Sequence, residues 1–206
     1  MNQILLIGGG GHCRACIEVI ETTSCYSIAG LVQPADAGLD SVLGYPVLGT
    51  DKDLPSLLKN IPCALITVGQ IKTFQTRQRL FNQIKSIGAQ MPVIQSSSAY
   101  CSKRAIIGQG TILMHGSIVN TDARIGDNSI INNLALVDHD VKISDHCHIS
   151  TGARVNGGVS IGHGCFIGSG TLVKEGITIG KNCIISMGMV VKRDVPAGTI
   201  LRGNNV

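Results

Sequence analysis

The chain has 206 residues, of which 44% are hydrophobic and only 3% aromatic, and its formal net charge is +4. Apart from Lys192 and Arg193 there is no basic cluster and no interleaving of basic with aromatic residues, which argues against polynucleotide binding and favours small anionic ligands. No run of eighteen apolar residues occurs and the first residues lack the basic segment of a secretion signal, so we expect neither a transmembrane helix nor export.

The first residues have the pattern of a nucleotide-binding unit. A short apolar run, Gln3 to Ile7, is followed by four glycines and then by helical spacing from Cys13 to Glu21. A glycine loop between a strand and a helix lets backbone N–H groups approach a diphosphate. The full G-x-G-x-x-G fingerprint is absent, because Cys13 replaces its third glycine and the second strand, Ser27 to Val32, leads into Gln33 instead of an acidic residue. A NAD site is therefore not expected.

Helices and strands continue to alternate after this unit. The further predicted elements are a short helix opened by the capping pair Thr50 and Asp53, a buried strand over Ala64 to Val68, and a helix over Thr73 to Ile87 that Gly88 ends. Such alternation indicates a parallel sheet. Residues 1–94 are predicted to form a small Rossmann-like α/β domain, and a joint rich in proline and serine is predicted over residues 91–103.

A six-residue repeat dominates the remainder of the chain. From Ile107 to Val191 a branched aliphatic residue stands at every sixth position without exception, and small residues mostly stand two positions earlier. This period is typical of a parallel β-helix. Glycine or serine follows the aliphatic residue at every third repeat, so three hexads are predicted to make one triangular coil. Residues 95–206 are predicted to form this all-β domain, and the tail from Pro196 falls out of the repeat and is expected to close or leave the last coil.

The cysteines are predicted to be structural. Cys147, Cys165 and Cys183 recur every eighteen residues and should stack inside successive coils as small apolar residues. Cys13 and Cys16 are expected to pack on the inner face of their helix, because no second pair with zinc spacing accompanies them. Reduced thiols and a cytoplasmic location are expected.

The position of a residue in the hexad predicts which polar side chains reach solvent. His139 and Asp140 fall on a corner of the coil, whereas His148 points outward from a strand face. An imidazole accepts a proton near neutral pH and a neighbouring carboxylate fixes its tautomer, so His139 and Asp140 are the best acid–base candidates. The alternative is a solvated corner without chemistry. His115 and His163 are corner residues without an adjacent carboxylate and are expected to be solvated turns.

Two stretches together, IGGGGH near the start and LVDHDVKISDHCHIS in the repeat region, carry a family resemblance. The chain resembles the sialic acid O-acetyltransferase family, which includes bacterial N-acetyltransferases of nucleotide-linked 4-amino sugars. The resemblance implies a left-handed β-helix, acetyl-CoA as the acyl donor, no metal, and a homotrimer with active sites between protomers.

The resemblance also implies roles for individual residues. His139 would be the general base and Asp140 its orienting acid. Two sets would bind ligands: His148, Ser150, Ser169 and Met187 for acetyl-CoA, and Gly10, Gly11, His12 and Gly69 for the nucleotide sugar. The chain departs from the family pattern at Gln33 and Pro34, where acidic residues are common, and in the tail at Gly203, Asn204 and Asn205.

Three hypotheses for function follow. The first is acetyl-CoA-dependent N-acetylation of a nucleotide-activated 4-amino sugar in bacterial surface-glycan synthesis. The second is O-acetylation of sialic acid or a related sugar. The third is a non-catalytic partner that stabilises an enzyme of glycan biosynthesis.

Overall fold

The computed structural model describes residues 1–203, which form an N-terminal α/β unit followed by a β-helix. The N-terminal sheet has five strands: β1 (Asn2–Ile7), β2 (Tyr26–Val32), β3 (Ser41–Val42), β4 (Tyr45–Gly49) and β5 (Cys63–Ile66). Its helices are α1 (Gly11–Glu21), α2 (Leu54–Asn60) and α3 (Gln75–Ile87), with two 3₁₀ turns at Ala35–Ala37 and Asp51–Asp53.

The N-terminal sheet is parallel except at one edge. Its strand order is β3-β4-β2-β1-β5, and β1 lies between β2 and β5, parallel to both, with Ile4 to Ile7 buried. The predicted Rossmann-like parallel sheet is confirmed. The antiparallel hairpin of β3 and β4 was not expected, because β3 has two residues and Pro46 in β4 argues against a strand in the sequence.

The predicted start signal of the short helix and the predicted stop signal of the long helix are both confirmed. Thr50 and Asp53 form a reciprocal capping box that opens the 3₁₀ turn before α2. Helix α3 ends at Gly88, whose φ of 83° is left-handed and therefore favours glycine.

The β-helix consists of two-residue strands stacked in three parallel sheets, which form the triangular prism predicted from the hexads. The left-handed coil implied by the family resemblance is also confirmed. The domain-facing sheet lies toward the N-terminal unit and contains Ile94–Gln95, Ile112–Leu113, Ile130–Ile131, His148–Ile149, Phe166–Ile167, Ile184–Ile185 and Ile200–Leu201. The apolar sheet contains Tyr100–Cys101, Ile118–Val119, Leu136–Val137, Arg154–Val155, Leu172–Val173 and Val190–Val191. The polar sheet contains Ile106–Ile107, Arg124–Ile125, Lys142–Ile143, Ser160–Ile161 and Thr178–Ile179.

The interior of the prism is filled as the hexads predict. The aliphatic column and the small residues two positions earlier form one continuous buried cluster. Cys147, Cys165 and Cys183 lie inside it on successive coils, and the N–H of Cys183 lies 3.4 Å from Sγ of Cys165. All eight cysteines are free thiols.

The coil extends beyond the hexads in both directions. Two coil strands, at Ile94–Gln95 and Tyr100–Cys101, lie within the predicted joint over residues 91–103. The tail stays in the fold, because Val195 bridges Ile179 and Ile200–Leu201 pairs with the strand at Ile184. Of the two alternatives expected for the tail from Pro196, closing the last coil is therefore the one that the structure supports. The spacing does leave the repeat, since Val195 follows Val191 by four residues instead of six. Asn204 and Asn205 lie outside the described residues.

Helix α1 attaches the N-terminal unit to the β-helix. Cys13, Cys16 and Ile17 pack in one buried cluster with Ile112 and Ile130 of the domain-facing sheet. This confirms the packing role expected for the two cysteines. Within residues 1–203, no helix is both long and apolar enough to cross a membrane.

Replacing Ile161 with Asp is expected to unfold the β-helix, because the side chain is 2% exposed and a carboxylate there has no partner in a dry interior. The loss of stability should be several kcal/mol, as for other unpaired buried charges. Thermal unfolding monitored by circular dichroism measures the effect. Ser160→Asp is the matched control, because Ser160 is on the same strand, points outward and pairs with Lys142. Equal melting temperatures for the two variants would contradict the assigned register.

Candidate active site

A cleft of about 540 Å³ lies between the N-terminal unit and the domain-facing sheet. It brings together six residues singled out in the sequence: His12, Gly69, His148, Ser150, Ser169 and Met187. The cleft is bordered by the first turn of α1, by the loop after β5 and by successive coils of the β-helix. Both predicted ligand-binding sets therefore contribute to one cavity.

Gly10 and Gly11 lie at the start of α1, next to this cleft. Gly10 is the N-cap residue, no side chain caps the helix, and no acidic residue stands in its first turn. A β-carbon added to either glycine would meet no atom within 4 Å. The N-terminus of α1 is therefore open to an anion, which its backbone N–H groups and helix dipole would favour.

His148 is held in one orientation by hydrogen bonds at both ring nitrogens. Its Nδ1–H donates to the carbonyl oxygen of Gln70 at 2.6 Å, and its Nε2 accepts from Nδ2 of Asn132 at 3.0 Å. The N-terminal unit covers the ring, which is 6% exposed. Burial lowers the pKa of His148 to about 4, so the ring is neutral at physiological pH.

His12 is the second neutral imidazole of the cleft. Burial, followed by the positive charge of Arg77, lowers the pKa of His12 to about 3. Its Nε2 lies 3.4 Å from Sγ of Cys16, and its ring centroid lies 6.5 Å from that of His148. Neither histidine can therefore carry a positive charge to a ligand near neutral pH.

Ser150, Ser169 and Met187 follow one corner of the prism on successive coils. The hydroxyls of Ser150 and Ser169 are 2.9 Å apart, and Met187 is 76% exposed. They form a shallow edge with alternating polar and apolar character, which suits an extended ligand lying along the coils.

His139 and Asp140 lie on a different corner, between the apolar and the polar sheets. Nδ1 of His139 is 2.9 Å from Oδ2 of Asp140, and Asp138 Oδ1 accepts the backbone N–H of His139. The His139 side chain is 58% exposed. The hydrogen bond to Asp140, with the nearby charge of Asp138, raises the pKa of His139. When Nδ1 keeps its hydrogen for Asp140, Nε2 is free to accept a proton.

Gly157 makes room for the His139 ring. A β-carbon at Gly157 would come within 2.5 Å of Cε1 and 2.6 Å of Nε2 of His139. Backbone conformation does not require glycine there, since only its neighbour Gly158 has a left-handed φ, of 70°. The contact between Gly157 and His139 is one that the sequence analysis did not predict. The signal was present, because Gly157 is the only glycine among the residues two positions after each aliphatic residue from Ile107 to Val191.

Within one chain the apolar sheet separates His139 from the cleft. The cleft residues lie on the domain-facing sheet and on its corner with the apolar sheet, whereas His139 follows the apolar sheet. The structure therefore brings the two predicted ligand-binding sets together but does not bring the predicted base to them.

The remaining histidines are less solvated than expected. His163 packs against Phe74 with ring centroids 5.0 Å apart, and Nδ1 of His115 lies 2.7 Å from Oγ of Ser96. Cys147 is inside the coil, as predicted. Within residues 1–203 no group of three or more His, Cys, Asp or Glu side chains could hold a metal ion.

Gly157→Ala is expected to displace the His139 ring and weaken its hydrogen bond to Asp140, so the pKa of His139 should fall toward its usual value of about 6.5. NMR titration of the imidazole measures this change. Gly158→Ala is the matched control. An alanine in the left-handed conformation costs about 1 kcal/mol of stability, but its β-carbon does not contact the His139 ring. The assignment fails if Gly157→Ala leaves the titration of His139 unchanged.

Comparison with known families gives three matches. The PglD N-terminal domain matches residues 3–84, the bacterial transferase hexapeptide (six repeats) matches residues 140–175, and the hexapeptide repeat of succinyl-transferase matches residues 158–193. Comparison with curated proteins gives no match.

Solved structures are similar over almost the whole chain. PerB from Caulobacter crescentus, in complex with CoA and GDP-perosamine, is 35% identical, with a TM-score of 0.89 over 96% of this chain and 92% of that one. A histidine-to-alanine variant of GDP-perosamine N-acetyltransferase from the same organism is 34% identical, with a TM-score of 0.90 and the same coverage. The acetyltransferase domain of PglB from Neisseria gonorrhoeae, in complex with acetyl coenzyme A, is 31% identical, with a TM-score of 0.89 over 96% and 95% of the two chains.

The resemblance inferred from the glycine loop and the hexads is thus confirmed by identity above 30% over both parts of the chain. The protein is an acyltransferase and belongs to the hexapeptide acyltransferase family of N-acetyltransferases.

Proposed function

We propose that the protein transfers the acetyl group of acetyl-CoA to the amino group of a nucleotide-linked 4-amino sugar, in bacterial surface-glycan synthesis. The observation that carries this proposal is the exposed His139 ring, whose Nδ1 is engaged by Asp140 and whose Nε2 is free. Relatives that bind CoA with GDP-perosamine, or acetyl coenzyme A, support the two substrates.

The reaction needs one base and two positioned substrates. The neutral amine attacks the thioester carbonyl carbon, and a C–N bond forms. Nε2 of His139 takes the proton that the nitrogen gives up, while Asp140 stabilises the resulting imidazolium. The C–S bond then breaks, and the departing CoA thiolate recovers a proton from the imidazolium. A thioester is already activated, so positioning and proton transfer are enough for direct transfer.

The glycine loop is proposed to hold the nucleotide sugar. The open N-terminus of α1 at Gly10 and Gly11 suits a diphosphate, and His12 and Gly69 border the adjoining cleft. Because His12 is neutral, it would bind the sugar by hydrogen bonding. We assign this role to residues 1–94 and the acyl-transfer role to residues 95–206.

The corner of Ser150, Ser169 and Met187 is proposed to hold the pantetheine arm of acetyl-CoA. An extended arm lying along the coils would meet hydroxyls and a thioether in turn. His148 is neutral and is held in place by Gln70 and Asn132, and it would form a polar side of the pocket for the acetyl group.

We infer that the active enzyme is a homotrimer. The outward side chains of the apolar sheet are mainly hydrophobic and exposed in a single chain, as at Tyr100, Ile118, Leu172 and Val190. An apolar face of this kind favours contact with another protein surface. Contact with a second copy would cover it and bring His139 of one protomer toward the cleft of the next. The eight free thiols fit a reducing compartment, and the cytoplasm is the proposed location.

The direct test is thiol release from acetyl-CoA with a panel of UDP-, GDP-, dTDP- and CMP-linked 4-amino sugars, each with its hydroxyl analogue as a control. We expect turnover with an amino sugar and little with its hydroxyl analogue, because amines are the better nucleophiles. Turnover with sialic acid alone would favour O-acetylation. Absence of turnover with every acceptor, together with tight binding of another glycan-biosynthesis enzyme, would favour the stabilising partner.

The rate is expected to depend on His139 and on its protonation. His139→Ala should lower kcat by about a hundredfold, the usual scale for a general base. Because the base must be neutral, kcat/KM should rise with pH through the pKa of His139 and then level off. Asp140 raises that pKa, so Asp140→Asn should move the rise to lower pH and lower the plateau.

The pH-rate profiles of wild type and Asp140→Asn on the same acceptor provide this measurement, since the titration of the amine is common to both. If kcat/KM rises at the same pH in both proteins, Asp140 is not the residue that raises the pKa of His139.

A further inference from the structure

Arg77, in the first turn of α3, is the buried cation at the junction of the two parts of the molecule. It is 1% exposed. One terminal nitrogen of its guanidinium donates to the carbonyl oxygens of Ile66 at 2.8 Å and Val68 at 2.7 Å. The other donates to Asn128, at 3.1 Å to the backbone oxygen and 2.6 Å to Oδ1. The side chain thus joins the carboxyl end of β5 to a corner of the β-helix.

This charge has no carboxylate partner. The ion pairs within residues 1–203 are Arg79 with Asp51 and His139 with Asp140. Burial lowers the pKa of Arg77 to about 10, which still leaves the side chain charged at neutral pH. A buried, unpaired cation near a helix N-terminus is costly, because both desolvation and the helix dipole oppose it. Asp127 and Asp145, on the same corner column as Asn128, accept backbone N–H groups of Gln109 and Asp127 instead.

The segment that Arg77 binds is in contact with the glycine loop. Thr67, between the two carbonyl groups that Arg77 binds, donates its hydroxyl hydrogen to the carbonyl oxygen of Gly8 at 2.7 Å. A β-carbon at Gly8 would lie 2.7 Å from Cγ2 of Val68, so loop and strand are in close contact. The electrostatic influence of Arg77 extends to His12 at the start of α1, whose pKa it lowers in addition to burial.

We propose that Arg77 is a positioning residue whose unpaired positive charge attracts the diphosphate of the nucleotide sugar to the glycine loop at Gly8–His12. This rests on the proposed function of the loop. Carbonyl dipoles of Ile66, Val68 and Asn128 stabilise the guanidinium without cancelling its charge, so its field remains available to a ligand anion. The two histidines of the cleft are neutral and cannot supply this charge.

Asn128→Asp is designed to neutralise Arg77 while keeping the hydrogen bonds that its guanidinium donates. An aspartate fits the left-handed backbone of Asn128, at φ 52°, and keeps Oδ1 as an acceptor for the guanidinium while neutralising it. His146, whose Nδ1 is 2.9 Å from Nδ2 of Asn128, can donate to the carboxylate after a change of tautomer. The substitution loses the 3.2 Å hydrogen bond from Nδ2 of Asn128 to the carbonyl oxygen of Arg77, and the new ion pair with the guanidinium opposes this loss of stability. We expect the variant to fold and to bind diphosphates about tenfold more weakly. Its affinity for acetyl-CoA should be unchanged.

The test compares four proteins by titration calorimetry with GDP, UDP and inorganic pyrophosphate: wild type, Asn128→Asp, Arg77→Lys and Arg77→Gln. If charge acts, wild type and Arg77→Lys bind diphosphates more tightly than Arg77→Gln and Asn128→Asp. If the contacts alone matter, Asn128→Asp binds like wild type and Arg77→Lys like Arg77→Gln, which would overturn the proposal. Arg79→Met is the surface control, since Arg79 is exposed on the same helix, and its diphosphate affinity should not change.

The same titrations separate this proposal from the proposed function. If wild type binds pyrophosphate but no nucleoside diphosphate, the role of Arg77 stands and the nucleotide part of the function fails. If wild type binds neither probe, both fail. Should Asn128→Asp not fold, the comparison of Arg77→Lys with Arg77→Gln still decides, because each loses the planar guanidinium fork but only the lysine keeps the charge.

Discussion

The narrow interior of the triangular coil is the constraint on which the rest of this molecule depends. Each hexad must turn one branched aliphatic residue and one slim residue inward, because the interior is a continuous buried hydrophobic cluster. The direction of every neighbouring side chain is thereby fixed. Chemistry is confined to the corners and the outward faces, and a shift of the repeat by one residue would exchange those faces for the core.

Solvation then divides the histidines into two kinds. The N-terminal unit covers the domain-facing sheet, so His148 and His12 lose their hydration and remain neutral hydrogen-bonding groups. His139 stays on an open corner with Asp140 and Asp138, which raise its pKa and leave Nε2 accessible. Histidine can thus be a neutral hydrogen-bonding group that lines a cleft in one position and a proton acceptor in another.

The sequence predicts what depends on local repeat and local chemistry: the prism, its cysteine column, the parallel sheet and the corner position of His139. It does not predict contacts that join distant segments. The bond from His148 to Gln70 spans 78 residues and that from Arg77 to Asn128 spans 51, and no periodicity encodes either. The hairpin of β3 and β4 was missed for a different reason, because its strands are short and one contains proline.

In the proposed trimer, the base and the cleft of each active site come from different protomers. The most direct test of this arrangement mixes two inactive variants: His139→Ala, which lacks the base, and Gly11→Asp, which puts a carboxylate at the open N-terminus of α1. In randomly assembled trimers a site is intact only when its base comes from a Gly11→Asp chain and its cleft from a His139→Ala chain, so co-assembled protein should recover about a quarter of wild-type activity. Activity no higher than that of either variant alone, in verified mixed trimers, would mean that each chain completes its own site.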